Sequence, residues 1–156
     1  CSTPLGAPAW AIGRGFVQRY FDNSLSYDSP QAEKLRQAVK AAGITASLGL
    51  SERSGGSLYI AQWLIGPDGE TISKRRKVRP THSERTVFGD GDGSDLKVHD
   101  TPLGRVGELA CWENILSLNK YAMYSQHEQV HIAAWRAEGA NPAPLAFNEL
   151  FTALAA

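Results

Sequence analysis

The 156-residue chain is poor in the residues that build covalent frameworks, with two cysteines, Cys1 and Cys111, and a single methionine. The cysteines lie far apart and lack C-x-x-C spacing, so there is no signature of a redox dithiol, a zinc knuckle or a disulfide scaffold, and a reducing compartment is expected. No apolar run approaches the ~20 residues that a bilayer-spanning helix needs. No series of basic, apolar and small residues marks a secretory leader. These absences predict a cytoplasmic chain with no membrane partner. An excess of one charge is missing as well: 16 Lys plus Arg balance 16 Asp plus Glu. That removes the global field that draws a protein to nucleic acid or to anionic lipid.

What is present is ordinary globular material, 42% hydrophobic and 21% charged, enough for the core of one domain. The chain opens on Cys1 rather than Met and is expected to be part of a longer polypeptide. Pro4, Gly6 and Pro8 predict a loop to about Ala11, and residues 13–26 carry Phe16, Val17, Tyr20 and Phe21 at helical spacing. The clearest helix follows, with Ser29 as cap, Pro30 in the first position, an apolar face of Ala32, Leu35, Val39 and Ala42, and Gly43 at its end. Residues 44–50 and 57–65 read as strands joined through 52–56. The turn Gly66-Pro67-Asp68-Gly69 then leads to a third strand from Thr71. After a basic segment and a Gly/Asp-rich loop, 89–95, short strands are predicted at 96–98 and 105–110, a helix within 116–129, and a buried strand at 130–135. From Arg136 the composition becomes alanine-rich. The pattern is mixed α/β without repeats.

Three constellations carry chemistry. The strand ending at Ala110 delivers Cys111 to a strand-to-helix turn, where exposed N–H groups and the positive end of a helix dipole would stabilise a thiolate. An inert buried cysteine beside a core tryptophan fits the same local pattern. Lys77 ends the run Lys74-Arg75-Arg76-Lys77, which by itself reads as a solvated strand end or a nucleic-acid patch. Placed in a cleft with Glu84, the same amine would donate to charge developing on a substrate nitrogen or oxygen. His127-Glu128-Gln129-Val130-His131 matches the H-E-x-x-H zinc pattern, with Glu149 as a possible third ligand. That pattern requires one helix through both histidines, whereas the β-branched run from Val130 predicts a strand. A zinc peptidase is therefore the lesser alternative, and no metal or cofactor is expected. Asp90, Asp92 and Asp95 do not fall at EF-hand positions and predict a polar surface loop. Glu52 and Glu113 read as surface or hydrogen-bonding carboxylates.

The ordered run from Arg75 to Gly93, together with Cys111-Trp112-Glu113-Asn114, resembles the nitrilases of the carbon–nitrogen hydrolase superfamily. The resemblance covers Trp10 to Trp135, including residues 48–53, Gly66-Pro67-Asp68-Gly69 and Lys120-Tyr121-Ala122. It implies an α-β-β-α sandwich, incomplete in this chain, with a partial family domain over 1–135 and a divergent tail over 136–156. It also implies a glutamate, lysine and cysteine triad with a second glutamate nearby. By motif, Cys111 matches the nucleophile, Lys77 the catalytic lysine and Glu84 the second glutamate. Trp112 would offer its backbone N–H to the intermediate. The first glutamate belongs to a Phe-Pro-Glu motif that these 156 residues do not contain. The implied reaction converts a small-molecule nitrile to carboxylic acid and ammonia through a thioimidate and an acyl-enzyme, in a homo-oligomeric parent. An amidase or carbamoylase of the same superfamily would share the triad.

Overall fold

The computed structural model describes residues 7–135, with side chains from residue 13 onward. Cys1, Glu149 and the whole 136–156 tail fall outside the described residues. The described residues form two compact units, divided between Gly93 and Ser94. Among the described residues, no helix is long and apolar enough to cross a membrane.

The first unit holds α1 (Ala7–Asp22), α2 (Pro30–Ala42) and an antiparallel sheet of β1 (Ala46–Ser54), β2 (Ser57–Ile65) and β3 (Thr71–Arg76) in the order β1-β2-β3. The loop expected to reach Ala11 gives way to helix at Ala7. Pro8 falls in the first turn, where its missing N–H costs no hydrogen bond. α2 forms where expected: Ser29 Oγ accepts from Ala32 N at 3.2 Å, Pro30 leads, and Gly43 closes the helix at φ +63°. Its buried seam differs from the expected face. Ala32 and Val39 are buried, while Leu35 and Ala42 are exposed. Between them Arg36 donates from Nε to Gly69 O at 2.9 Å, which docks the helix on the β2–β3 turn.

β1 runs four residues past its expected end, because the hairpin closes on only Gly55 and Gly56. Gly55 takes φ +57°, and the ladder reaches the Ser54–Ser57 pair. β2 is the central strand and is buried without a break from Ala61 to Ile65. Its Trp63 and Ile65 pack with Ala32 and Val39, and burying each such large apolar side chain contributes roughly 1.5–3 kcal/mol.

The second unit contains β4 (His99–Thr101), β5 (Gly104–Ala110), α3 (Ser117–Tyr124) and β6 (Val130–Ala134), with sheet order β4-β5-β6. β4 pairs antiparallel with β5, and β5 parallel with β6. A parallel pair needs a crossover, which α3 supplies. The strand expected at 96–98 lies three residues later. The Gln126 side-chain amide holds Val98 N and Leu96 O instead, so that backbone is satisfied without a ladder. α3 stops at Tyr124, short of the predicted 129, and the chain reverses through His127 at φ +59°. β6 is half-buried rather than buried, as befits the edge of this sheet among the described residues.

Candidate active site

Alternation along β3 decides the fate of its cations. Trp63 pairs with Lys74 and Gln62 with Arg75, so Lys74 and Arg76 share the face of Trp63, while Ser73 and Arg75 share that of Gln62. Lys74 stands over the Tyr27 and Trp63 rings. Arg76 forks onto Glu52 at 2.8 and 2.6 Å and lies 3.7 Å from the Tyr59 ring centroid. Glu52 raises the Arg76 guanidinium above its ordinary value, chiefly through that hydrogen bond. Glu52 is thus a buried ion-pair partner. Lys77, one step past the strand, is 2% exposed, which rules out a solvated strand end for this residue.

A buried ammonium requires charge compensation, and the segment after it supplies one. Lys77 Nζ donates to Glu84 Oε2 at 2.7 Å and to Thr81 Oγ1 at 2.8 Å. The same Glu84 oxygen accepts from Thr81 N at 2.6 Å, so one carboxylate gathers both the side chain and the loop backbone. The Lys77 backbone is fixed as well: its N–H donates to Ile60 O at 2.7 Å and its carbonyl accepts from Gly91 N at 2.9 Å. A Cβ on Gly91 would stand 2.7 Å from Lys77 O and 2.9 Å from Arg76 O. The glycine-rich loop is therefore a close-approach loop at this point. Its Asp90 pairs with exposed Arg79 at 2.7 Å. The structure brings Lys77 and Glu84 together as the sequence predicts. An ammonium has three donors, and Thr81 and Glu84 take two of them.

In the second unit Cys111 is a half-buried thiol that directly follows the C-terminal end of β5. Its φ is +52°, a conformation that costs a non-glycine residue roughly 1–2 kcal/mol. Strand leads to a five-residue 3₁₀ turn, Cys111–Ile115, and only then to α3. The helix dipole expected behind the sulfur is therefore that of one short turn. Three backbone groups around Cys111 are pinned by the two residues after Trp112. Glu113 Oε2 accepts from Ala110 N at 2.8 Å, and Asn114 Nδ2 donates to Leu109 O at 3.2 Å and to Cys111 O at 2.9 Å. Both side chains are buried, so Glu113 is not a surface carboxylate. Trp112 is 43% exposed.

The zinc pattern is broken apart. His127 lies in a turn and His131 in β6, and both His131 ring nitrogens are engaged: Nδ1 with Glu128 Oε1 at 2.8 Å and Nε2 with Asn114 Oδ1 at 2.7 Å. His131, Glu128 and Asn114 are what sequence reasoning missed at this site. One signal was available, since a glycine inside a strand, here Gly107, marks a close approach by another group.

A sequence model of the family described as carbon–nitrogen hydrolase matches residues 4–149. The chain is 56% identical over 131 residues to an arylacetone-specific nitrilase of Alcaligenes faecalis, covering 84% of this chain and 36% of that protein. It is 52% identical over 120 residues to an aliphatic nitrilase of Rhodococcus rhodochrous, covering 77% and 33%. In fold it is similar to a carbon–nitrogen hydrolase from Helicobacter pylori G27, with a TM-score of 0.72 at 16% identity, over 88% of this chain and 50% of that one. The expected α/β fold type therefore holds, and the chain spans about a third of the length of the curated relatives named here.

Proposed function

Because the chain belongs to the carbon–nitrogen hydrolase family, we propose that the polypeptide carrying it hydrolyses a small-molecule nitrile to a carboxylic acid and ammonia, with Cys111 as nucleophile. The observation that carries this reading is the elbow at Cys111: a thiol held at φ +52° at the end of a central strand. Strained backbone of this kind persists only where the surroundings over-determine it, and such places cluster at reacting centres. Identity of 56% to an arylacetone-specific nitrilase directs the choice of bond.

In the proposed cycle the Cys111 thiolate adds to the nitrile carbon, a C–S bond forms, and the displaced electron pair goes to nitrogen, which takes a proton to give a thioimidate. By the family resemblance Lys77 Nζ would donate its third N–H toward that nitrogen, with Glu84 holding the ammonium in place, and the backbone N–H of Trp112 would serve as the second donor. One water adds to the thioimidate carbon and ammonia leaves. A second water cleaves the thioester, releasing the acid and restoring the thiol. Proton shuttling, worth ~10²–10⁴-fold, falls to the family's first glutamate, for which these residues hold no Phe-Pro-Glu counterpart. The balanced charge supports a small-molecule partner over nucleic acid. A homo-oligomeric state and a cytoplasmic location complete the proposal; the first rests on the family resemblance and the second on the sparse, unpaired spacing of cysteine.

The test is Cys111→Ala in the full polypeptide that carries this sequence. Acid release and covalent trapping of substrate on the protein should both vanish, and continued turnover would refute the nucleophile assignment. Running matched nitrile and amide substrates side by side separates a nitrilase from an amidase built on the same groups.

A further inference from the structure

We propose that Glu128, His131 and Asn114 form a relay, buried at its two ends and partly exposed at His131, that holds the Cys111 elbow in its reactive shape, and that the three are positioning residues for the nucleophile; this rests on the reading of Cys111 given above. The proton arithmetic fixes the chain from one end to the other. Both Asn114 amide hydrogens face carbonyls, those of Leu109 and Cys111. Asn114 Oδ1 must then accept, so the His131 Nε2 at 2.7 Å carries a hydrogen. That leaves His131 Nδ1 and Glu128 Oε1, 2.8 Å apart, sharing one proton. Every member has a defined role, and none can rotate without stranding a neighbour.

Burial makes the relay expensive to disturb. The Glu128 side chain is 3% exposed, and Asn114 is fully enclosed. Room for the Glu128 carboxylate exists because Gly107 has no side chain: a Cβ there would overlap Glu128 Oε1 and lie 2.7 Å from Cδ. Gly107 stands opposite His131 in the parallel β5–β6 pair. The edge strand thereby reaches through its own histidine to the turn that follows the central strand. The amide of Asn114 grips the carbonyls on either side of the strained residue, two positions before its Cα and immediately after it. This is how a conformation that Cys111 disfavours is kept, and with it the direction of the sulfur.

Attack on a carbon held near van der Waals contact is sensitive to position, and a misplacement of about 1 Å costs about 10²-fold in rate. Asn114→Asp keeps volume and shape but turns two donors into acceptors that repel the same carbonyls. The expected result is a fall in kcat of about 10²-fold with KM little changed. Glu128→Leu should behave alike, whereas Glu128→Gln should recover most of the rate, since an amide N–H can donate to Nδ1 while Nε2–H still serves Asn114. Should Asn114→Asp not fold, His131→Gln against His131→Leu carries the comparison, because the Gln side chain keeps a donor for Asn114 Oδ1. Two readouts are independent of any substrate: hydrogen exchange at the amides of 110–115, and the alkylation rate of Cys111 by iodoacetamide, located by peptide mass mapping. Both should change in Asn114→Asp and Glu128→Leu and return in Glu128→Gln. If these readouts shift as described but no nitrile is hydrolysed by the parent, the relay stands and the reaction assignment fails. If exchange and alkylation are the same in Glu128→Leu as in the parent, or if Gln and Leu at 128 are equally poor, the relay is refuted whatever the enzyme hydrolyses.

Discussion

The pairing of Lys77 with Glu84 makes an asymmetric prediction about stability. Lys77 has a side chain 1% exposed, against 19% for Glu84. Glu84→Leu removes the one oxygen that accepts from both Lys77 Nζ and Thr81 N, and leaves a buried ammonium with no carboxylate beside it. Removing one partner of a buried pair costs about 3–5 kcal/mol. The partial exposure of Glu84 and the surviving Thr81 hydroxyl place this case near the lower end. Lys77→Met, close in volume, leaves a carboxylate that still accepts from Thr81 N and can be hydrated, so its cost should be about 2 kcal/mol, within the ~1.5–3 kcal/mol of a hydrogen bond to a charged group. The double variant has neither charge and should be no worse than Glu84→Leu alone, giving a coupling of about 2 kcal/mol in a double-mutant cycle. Urea unfolding followed by circular dichroism measures all four corners, with a constant m-value as the sign that only the folded state has changed. Costs that simply add, to within about 0.5 kcal/mol, would mean that the two side chains do not depend on each other, and the account of the buried ammonium would be wrong.

Two further outcomes follow from single positions. Gly91→Ala places a methyl between the Arg76 and Lys77 carbonyls, neither of which can rotate away, and should destabilise the fold by about 1–3 kcal/mol, the usual cost of overpacking; a melting temperature equal to that of the parent would contradict the close approach. Burial lowers the His99 imidazole below its ordinary 6.5, aided by Lys97 and opposed by Glu108, Asp100 and Asp95. The unfolded chain then takes up a proton where the folded chain does not, so the stability from neutral His99 is complete above 6.5 and declines as the pH falls through and below it. Urea midpoints measured from about pH 7.5 down to about pH 5.5 should drop more steeply for the parent than for His99→Gln, and parallel curves would exclude His99 as the cause.

Local physics was legible in the sequence. A capping serine, a proline in the first turn and a glycine in the left-handed region specify α2 whatever surrounds it, because all three act within one turn of chain. Alternation and turn residues marked β2, β3 and the strand ending at Ala110 in the same way, and the ordered motif around Lys77, Glu84 and Cys111 marked the family. The tertiary structure decided everything that depends on which segment lies beside which. Four consecutive cations look like a solvated stretch until the sheet sends Arg75 and Lys77 inward. Glu52 could be a surface or a hydrogen-bonding carboxylate along the chain, and β3 decides it by bringing Arg76 across to it. Most of all, His127 to His131 resembles a metal motif along the chain, yet the parallel pairing of β5 with β6 sets His131 opposite Gly107 and joins it to Asn114, seventeen residues away. Spacing along a chain encodes contacts within a helix or a hairpin. It does not encode a crossover, and the crossover is what set that histidine beneath the sulfur's turn.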